Sequence, residues 1–204
     1  MNPNYVGLSV IDWKSDDNKT IIYKEIIDLS KLNTKKQSRY TNNKRKHETF
    51  NISKRIINLA KHYSVEAVCF EKLSMKSKDN EKGKRFNRQV NNQWLRKTLV
   101  QNIIKRCNIE NISYQEVYPQ YSSFIGQLAN PDDVDSVAAS IEISRRGFNF
   151  LNKFIKKNEN TANIMYPAFI PSNLPTRWKE MVKCDNGIDT WISLYNADKR
   201  SKSS

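Results

Sequence analysis

Between Tyr5 and Gly147, apolar runs of strand length alternate with longer stretches whose apolar residues recur at helical spacing. That alternation limits the chain to an α/β domain, a mixed sheet with helices on its faces. The opening run YVGLSVID, Tyr5 to Asp12, is almost continuously apolar, as a strand covered on both faces is. A polar turn, WKSDDNKT, separates it from a second strand, Ile21 to Ile27, with room for a third. Residues 33 to 49 are basic with almost nothing apolar, and read as a loop or a solvated helix start. Phe50, Ser53, Ile56, Ile57, Ala60 and Tyr63 then mark a helix that ends near His62. Val65 to Leu73 is a strand with Val65, Ala67, Cys69 and Glu71 on one face, and Val68 and Phe70 on the other. A second amphipathic helix carries Val90, Trp94, Leu95, Leu99, Val100, Ile103 and Ile104; a strand from Ile112 to Val117 and a loop from Tyr118 to Ala129 follow.

The chemistry concentrates in NPDDVDSVAASIEISRRG, Asn130 to Gly147. Asn130 suits an N-cap, Pro131 the first helical position, and Asp132 and Asp133 the positive end of the helix dipole. Asp132 and Asp135, three apart, would share a face of that helix, while Val134, Val137, Ala138 and Ile141 mark its inward side; Arg145, Arg146 and Gly147 form its exit. Paired carboxylates beside small residues suit a divalent cation; the plainer alternative is that all three aspartates are solvated partners of the dipole. Glu71 ends an apolar strand face, and a carboxylate buried alone costs several kcal/mol, so a metal or an arginine is needed near it.

Of the 204 residues, 35 are Lys or Arg and 21 Asp or Glu, a formal charge of +14 spread over several clusters. Such a field favours a polyanion, with nucleic acid the leading partner. The clusters that would hold it are Lys44, Arg45 and Lys46, then Lys82, Lys84, Arg85 and Arg88, and finally Arg145 and Arg146, where phosphate binding competes with the favourable interaction of a helix end with positive charge. No apolar run approaches a membrane span and residues 1 to 5 have no signal-peptide character, so a soluble cytoplasmic protein without a membrane partner is expected. Three widely spaced cysteines, Cys69, Cys107 and Cys184, give neither a disulfide framework nor a zinc ribbon, and the first two read as core. Trp94 falls on an apolar stripe; Trp13 is open to either packing or base stacking. His47 and His62 pair with no nucleophile.

Four stretches in register, KHETFNISKRIINLAKHYSVEAVCFEKLSMK, WLRKTLVQNIIKRC, EVYPQYSS and DDVDSVAASIEISRRG, resemble the RuvC-type, RNase H-fold nuclease domain of the OrfB (TnpB) insertion-sequence proteins, relatives of type V CRISPR effectors. The resemblance runs from about Arg39 to Gly147. It implies an RNase H-like nuclease domain over residues 1–157, with 158–204 a C-terminal extension whose role is not legible. It also implies a Mg²⁺- or Mn²⁺-dependent endonuclease of transposon or phage type acting on DNA phosphodiesters, with structured or guide RNA as a further partner. Glu71 of Glu71-Lys72-Leu73 matches the family's catalytic glutamate, Asp135 its last catalytic aspartate, and Asp132 the additional aspartate of RuvC resolvases. Two-ion hydrolysis then needs an acid from the first strand.

There the sequence departs from the pattern. The family's Gly-Ile-Asp aligns with Gly7, Leu8 and Ser9, which puts a serine at the first catalytic position. Asp12 is the nearest carboxylate and completes the site only if the strand shifts or bulges, because an offset of three residues reverses the face. The family's zinc ribbon is also missing, replaced by SSFIGQLANP, so no zinc is expected. The alternative to an active nuclease is a degenerate RuvC-fold protein that binds DNA or RNA without cutting.

Overall fold

The computed structural model describes residues 4–15, 18–32, 39–72, 83–155, 179–180 and 191–201, and over these the chain is mixed α/β. Strands β1 (Tyr5–Trp13) and β2 (Lys19–Asp28) pair antiparallel. A 3-10 turn at Ser30–Leu32 leads to α1 (Arg39–His62), followed by β3 (Ala67–Glu71), α2 (Gly83–Glu110) and β4 (Ser113–Val117). The order closes with α3 (Ser122–Ala129), α4 (Asp135–Ile155) and α5 (Trp191–Ser201).

Alternation along β1 sets up three layers. Val6 and Leu8 pack with Phe70 of β3 against Ile56 and Ile57 of α1 and Leu95, Leu99, Ile103 and Cys107 of α2. Gly7, Ser9 and Trp13 turn the other way, onto α4: a Cβ at Gly7 would collide with the Ser136 carbonyl, Ser140 Oγ donates to Ser9 Oγ at 2.9 Å, and Trp13 Nε1 donates to Ser144 Oγ at 2.9 Å. Helix α4 also covers β3, where Gly147 lies against Cys69. Burial pushes the Cys69 thiol up to about 11, and Cys107 is wholly buried, so both behave as core residues.

The helix ends follow local chemistry. Ser64 takes φ 50, with its own N–H donating to the Lys61 carbonyl and the Val65 N–H to the Ala60 carbonyl, the paired bonds of a left-handed helix stop. Asn111, at φ 55, ends α2 in a related way, with Ile112 N donating to the Cys107 carbonyl at 2.9 Å.

Several features differ from the sequence expectations. Helix α1 begins at Arg39, well before Phe50, because Arg45 Nε reaches the Leu32 carbonyl at 2.7 Å and Thr49 is buried, which ties a polar half-helix to the core. Phe50 is 49% exposed beneath the Arg106 guanidinium, not on the inner stripe. The expected loop from Tyr118 to Ala129 holds α3, whose Gly126 sits against the Ala138 carbonyl of α4. Asn130 does not cap α4: its backbone and side-chain N–H groups both donate to the Gly126 carbonyl, closing α3. Helix α4 therefore starts later, at Asp135, with the Val134 carbonyl accepting from Val137 and Ala138, and it runs through Gly147 to Ile155.

The sheet itself is divided. β3 and β4 pair in parallel, Glu71 opposite Val117, and among the described residues this pair is not hydrogen-bonded to β1 and β2. A cavity of about 250 Å³ lies between, lined by consecutive residues Tyr5–Ile11 of β1 and Ala67–Glu71 of β3. Consecutive and not alternate lining means that the unpaired edges of the two strands face each other across it. Of the sequence's C-terminal extension, α5 is described: Leu194 is fully buried, and the Tyr195 ring meets those of Tyr121 and Phe124, at 4.7 and 5.2 Å.

Candidate functional site

Glu71, the last residue of β3, is half-buried, on the strand face that carries Cys69 toward α4. Burial raises its pKa, and the charges of Arg96 and Arg146 draw it partly back. The arginines that a carboxylate in this place requires are thus present. Arg96 is itself pulled down by burial and held up by Glu71, and its Nη2 donates to the Tyr5 carbonyl at 3.2 Å, bridging α2 to the start of β1.

Asp135 opens α4, exposed to solvent, and borders the same cavity as Glu71. Ser9 borders it too, its hydroxyl accepting from Ser140. The structure therefore gathers Glu71, Asp135 and Ser9 around one space. Asp12 and Asp132 do not join them. The register irregularity lies opposite Val10 and Ile11, where β2 skips Ile22, so the extra residue belongs to β2 and β1 keeps its alternation. Asp12 consequently stays on the face opposite Ser9 and Trp13, exposed. Asp132 lies in the turn before α4, exposed, and shares no helical face with Asp135; its neighbour Asp133 pairs with Lys24 of β2.

The residues fit a divalent cation poorly. Hard cations take several carboxylate oxygens, whereas here Glu71 feels the positive charges of Arg96 and Arg146 and Ser9 is already bonded to Ser140. Among the described residues no group of three or more His, Cys, Asp or Glu side chains is placed to hold a metal.

Arg145 and Arg146, read as either phosphate ligands or favourable positive charge at a helix end, lie inside α4, which runs on to Ile155, and their guanidinium groups are turned to Glu142. Both are buried against Glu142: Arg145 Nε donates to its Oε2 at 2.8 Å, and Arg146 Nε to its Oε1 at 2.7 Å. Arg146 Nη1 also donates to the Tyr118 carbonyl at 2.6 Å. Glu142, 3% exposed, escaped the sequence reading, although its spacing of three and four from the two arginines on one helix was the available signal. Ser140 and Ser144 were likewise missed, their helical spacing from Ser136 being the sign of a face that hydrogen-bonds a strand.

Of the other basic candidates, Lys44 and Lys46 are exposed on α1, whereas Arg45 is turned inward to Leu32. Lys82 and the side chains of Lys84, Arg85, Arg88 and Trp94, with Cys184, lie outside the described residues. Trp13 is packed, stacked on Phe148 with centroids 6.0 Å apart, with the Lys19 ammonium 5.6 Å from its ring. His47 and His62 are exposed. Among the described residues no helix is long and apolar enough to cross a membrane.

Compared with known proteins, the chain matches no family model, no curated protein and no solved structure.

Proposed function

We propose that this is a nucleic-acid-binding protein of RuvC-like, RNase H-type design that binds DNA or RNA without cutting it. The observation that carries the reading is the position of Ser9: it, and not an acid, stands on the β1 face toward α4, in the space shared with Glu71 and Asp135, while Asp12 points the opposite way. Two carboxylates remain, and the half-buried one, Glu71, lies in the field of Arg96 and Arg146. The charge of +14 supplies the attraction for a phosphate backbone.

A second reading, a Mg²⁺- or Mn²⁺-dependent endonuclease, gains support from Glu71 and Asp135 bordering one cavity. The two part on a single experiment with labelled single-stranded, duplex and four-way-junction DNA and with RNA. Salt-sensitive binding without product in either metal supports the first. Metal-dependent product that Glu71→Ala and Asp135→Ala both abolish replaces it with the second. Absence of binding at low salt rejects both.

A further inference from the structure

We infer that Tyr118 and Lys72 form a stacking clamp for single-stranded nucleic acid at the ends of β3 and β4, the ring taking the face of a base and the ammonium the adjoining phosphate. This deepens the nucleic-acid-binding reading and rests on it.

The geometry begins with the parallel ladder. Glu71 is partnered with Val117, and Lys72 N donates to the Val117 carbonyl at 2.7 Å, so the next residue of each strand, Lys72 and Tyr118, emerges side by side. The Lys72 ammonium stands 5.0 Å from the centroid of the Tyr118 ring. Tyr118 is 53% exposed. Its mount is nonetheless fixed, because the Tyr118 carbonyl accepts from Arg146, whose side chain is 1% exposed and is held by Glu142. An exposed aromatic on a rigid support beside a cation is preorganised for a ligand that is flat and anionic at once. Just along the chain, Tyr121, the N-cap residue of α3, is 41% exposed, a second aromatic at this end of the strands.

A nucleic-acid strand has the matching parts. Unpaired bases offer a π-face to an aromatic ring, while their phosphates seek positive charge; in a duplex those faces are already occupied by neighbouring base pairs. The clamp therefore selects single strands. It also places the strand beside Glu71, one residue before Lys72, on the rim of the cavity already described.

The test is fluorescence anisotropy with a labelled oligothymidylate and an abasic strand of equal length and charge, on folded full-length protein. Wild type is expected to prefer the base-bearing strand. Tyr118→Ala should weaken that binding by about 5- to 150-fold, the range for loss of one stacked base, with abasic binding unchanged. Tyr118→Phe should restore it, and Lys72→Ala should weaken both strands. Equal binding of both strands by wild type, or a Tyr118→Ala protein that holds oligothymidylate as tightly as wild type, would overturn the clamp while leaving nucleic-acid binding standing. Failure to bind either strand at low salt would remove the parent reading, and the clamp with it.

Discussion

Glu142 holds two buried guanidinium groups: Arg145 and Arg146 reach it at 2.8 and 2.7 Å. Burying an ion pair is close to neutral, but removing one partner strands the other in a medium that cannot solvate it. Glu142→Gln is therefore expected to cost about 3–5 kcal/mol in urea denaturation, and to loosen Tyr118 through Arg146. Glu71 has the opposite character. Its pKa is raised by burial, with Arg96 and Arg146 opposing, so the folded chain holds the Glu71 proton more tightly than the unfolded chain does. The contribution of such a group to stability is fully present below its unfolded pKa and is lost as pH rises through the folded value. Glu71→Gln removes that dependence. The melting temperature of the variant relative to wild type should accordingly rise from pH 4 toward neutrality; a flat difference would show that the arginines cancel burial, and a falling one that they outweigh it.

At the scale of elements, the face of α4 that meets β1 is made of small residues, and this is what lets helix and strand approach. The Ser136 carbonyl occupies the place of a Cβ at Gly7, and backbone cannot give way as a flexible side chain can. Gly7→Ala is expected to destabilise by about 3 kcal/mol, as overpacking of a fixed site does, whereas at Gly147 the obstacle is the Cys69 side chain and the loss should be smaller. β1 itself pairs on one edge and faces the cavity with the other, so hydrogen–deuterium exchange should alternate along Tyr5–Ile11, slow at amides bonded to β2 and faster at those between them. Uniform protection would mean that β1 and β3 close on each other in solution. The strands and the apolar halves of α1 and α2 were legible because period 2 and period 3.6 are written in single segments. Elements held by a partner elsewhere were not. α3 depends on Gly126 fitting α4, the first half of α1 on Arg45 reaching Leu32, and the start of α4 on Asn130 closing the preceding helix. The same division runs through the site. Glu71 and Asp135 border one cavity, but that Asp132 stays in the turn before α4 and that Asp12 faces away depend on where the helix starts and which strand holds the extra residue, facts that no local pattern records.

Over the whole molecule the proposed binding of a nucleic acid would draw on the excess of positive charge. Several arginines are already engaged, Arg145 and Arg146 by Glu142, Arg55 by Glu25 and Arg45 by a backbone carbonyl, so they add little to phosphate binding. Lysines such as Lys44 and Lys46 remain exposed on α1, and they keep their hydration until a phosphate displaces it. Binding should then be dominated by counterion release. If about four phosphates of a single strand are neutralised, affinity falls about 50-fold between 50 and 200 mM salt, a slope near −3 on logarithmic axes. Replacing Lys44 and Lys46 together by alanine should flatten that slope by about 1.4, the contribution of two phosphate contacts at roughly 0.7 each. Arg145→Ala should leave the slope alone and lower thermal stability instead. A slope unchanged by the lysine pair would move the binding surface away from α1, toward the rim of β3 and β4 where Lys72 and Tyr118 stand.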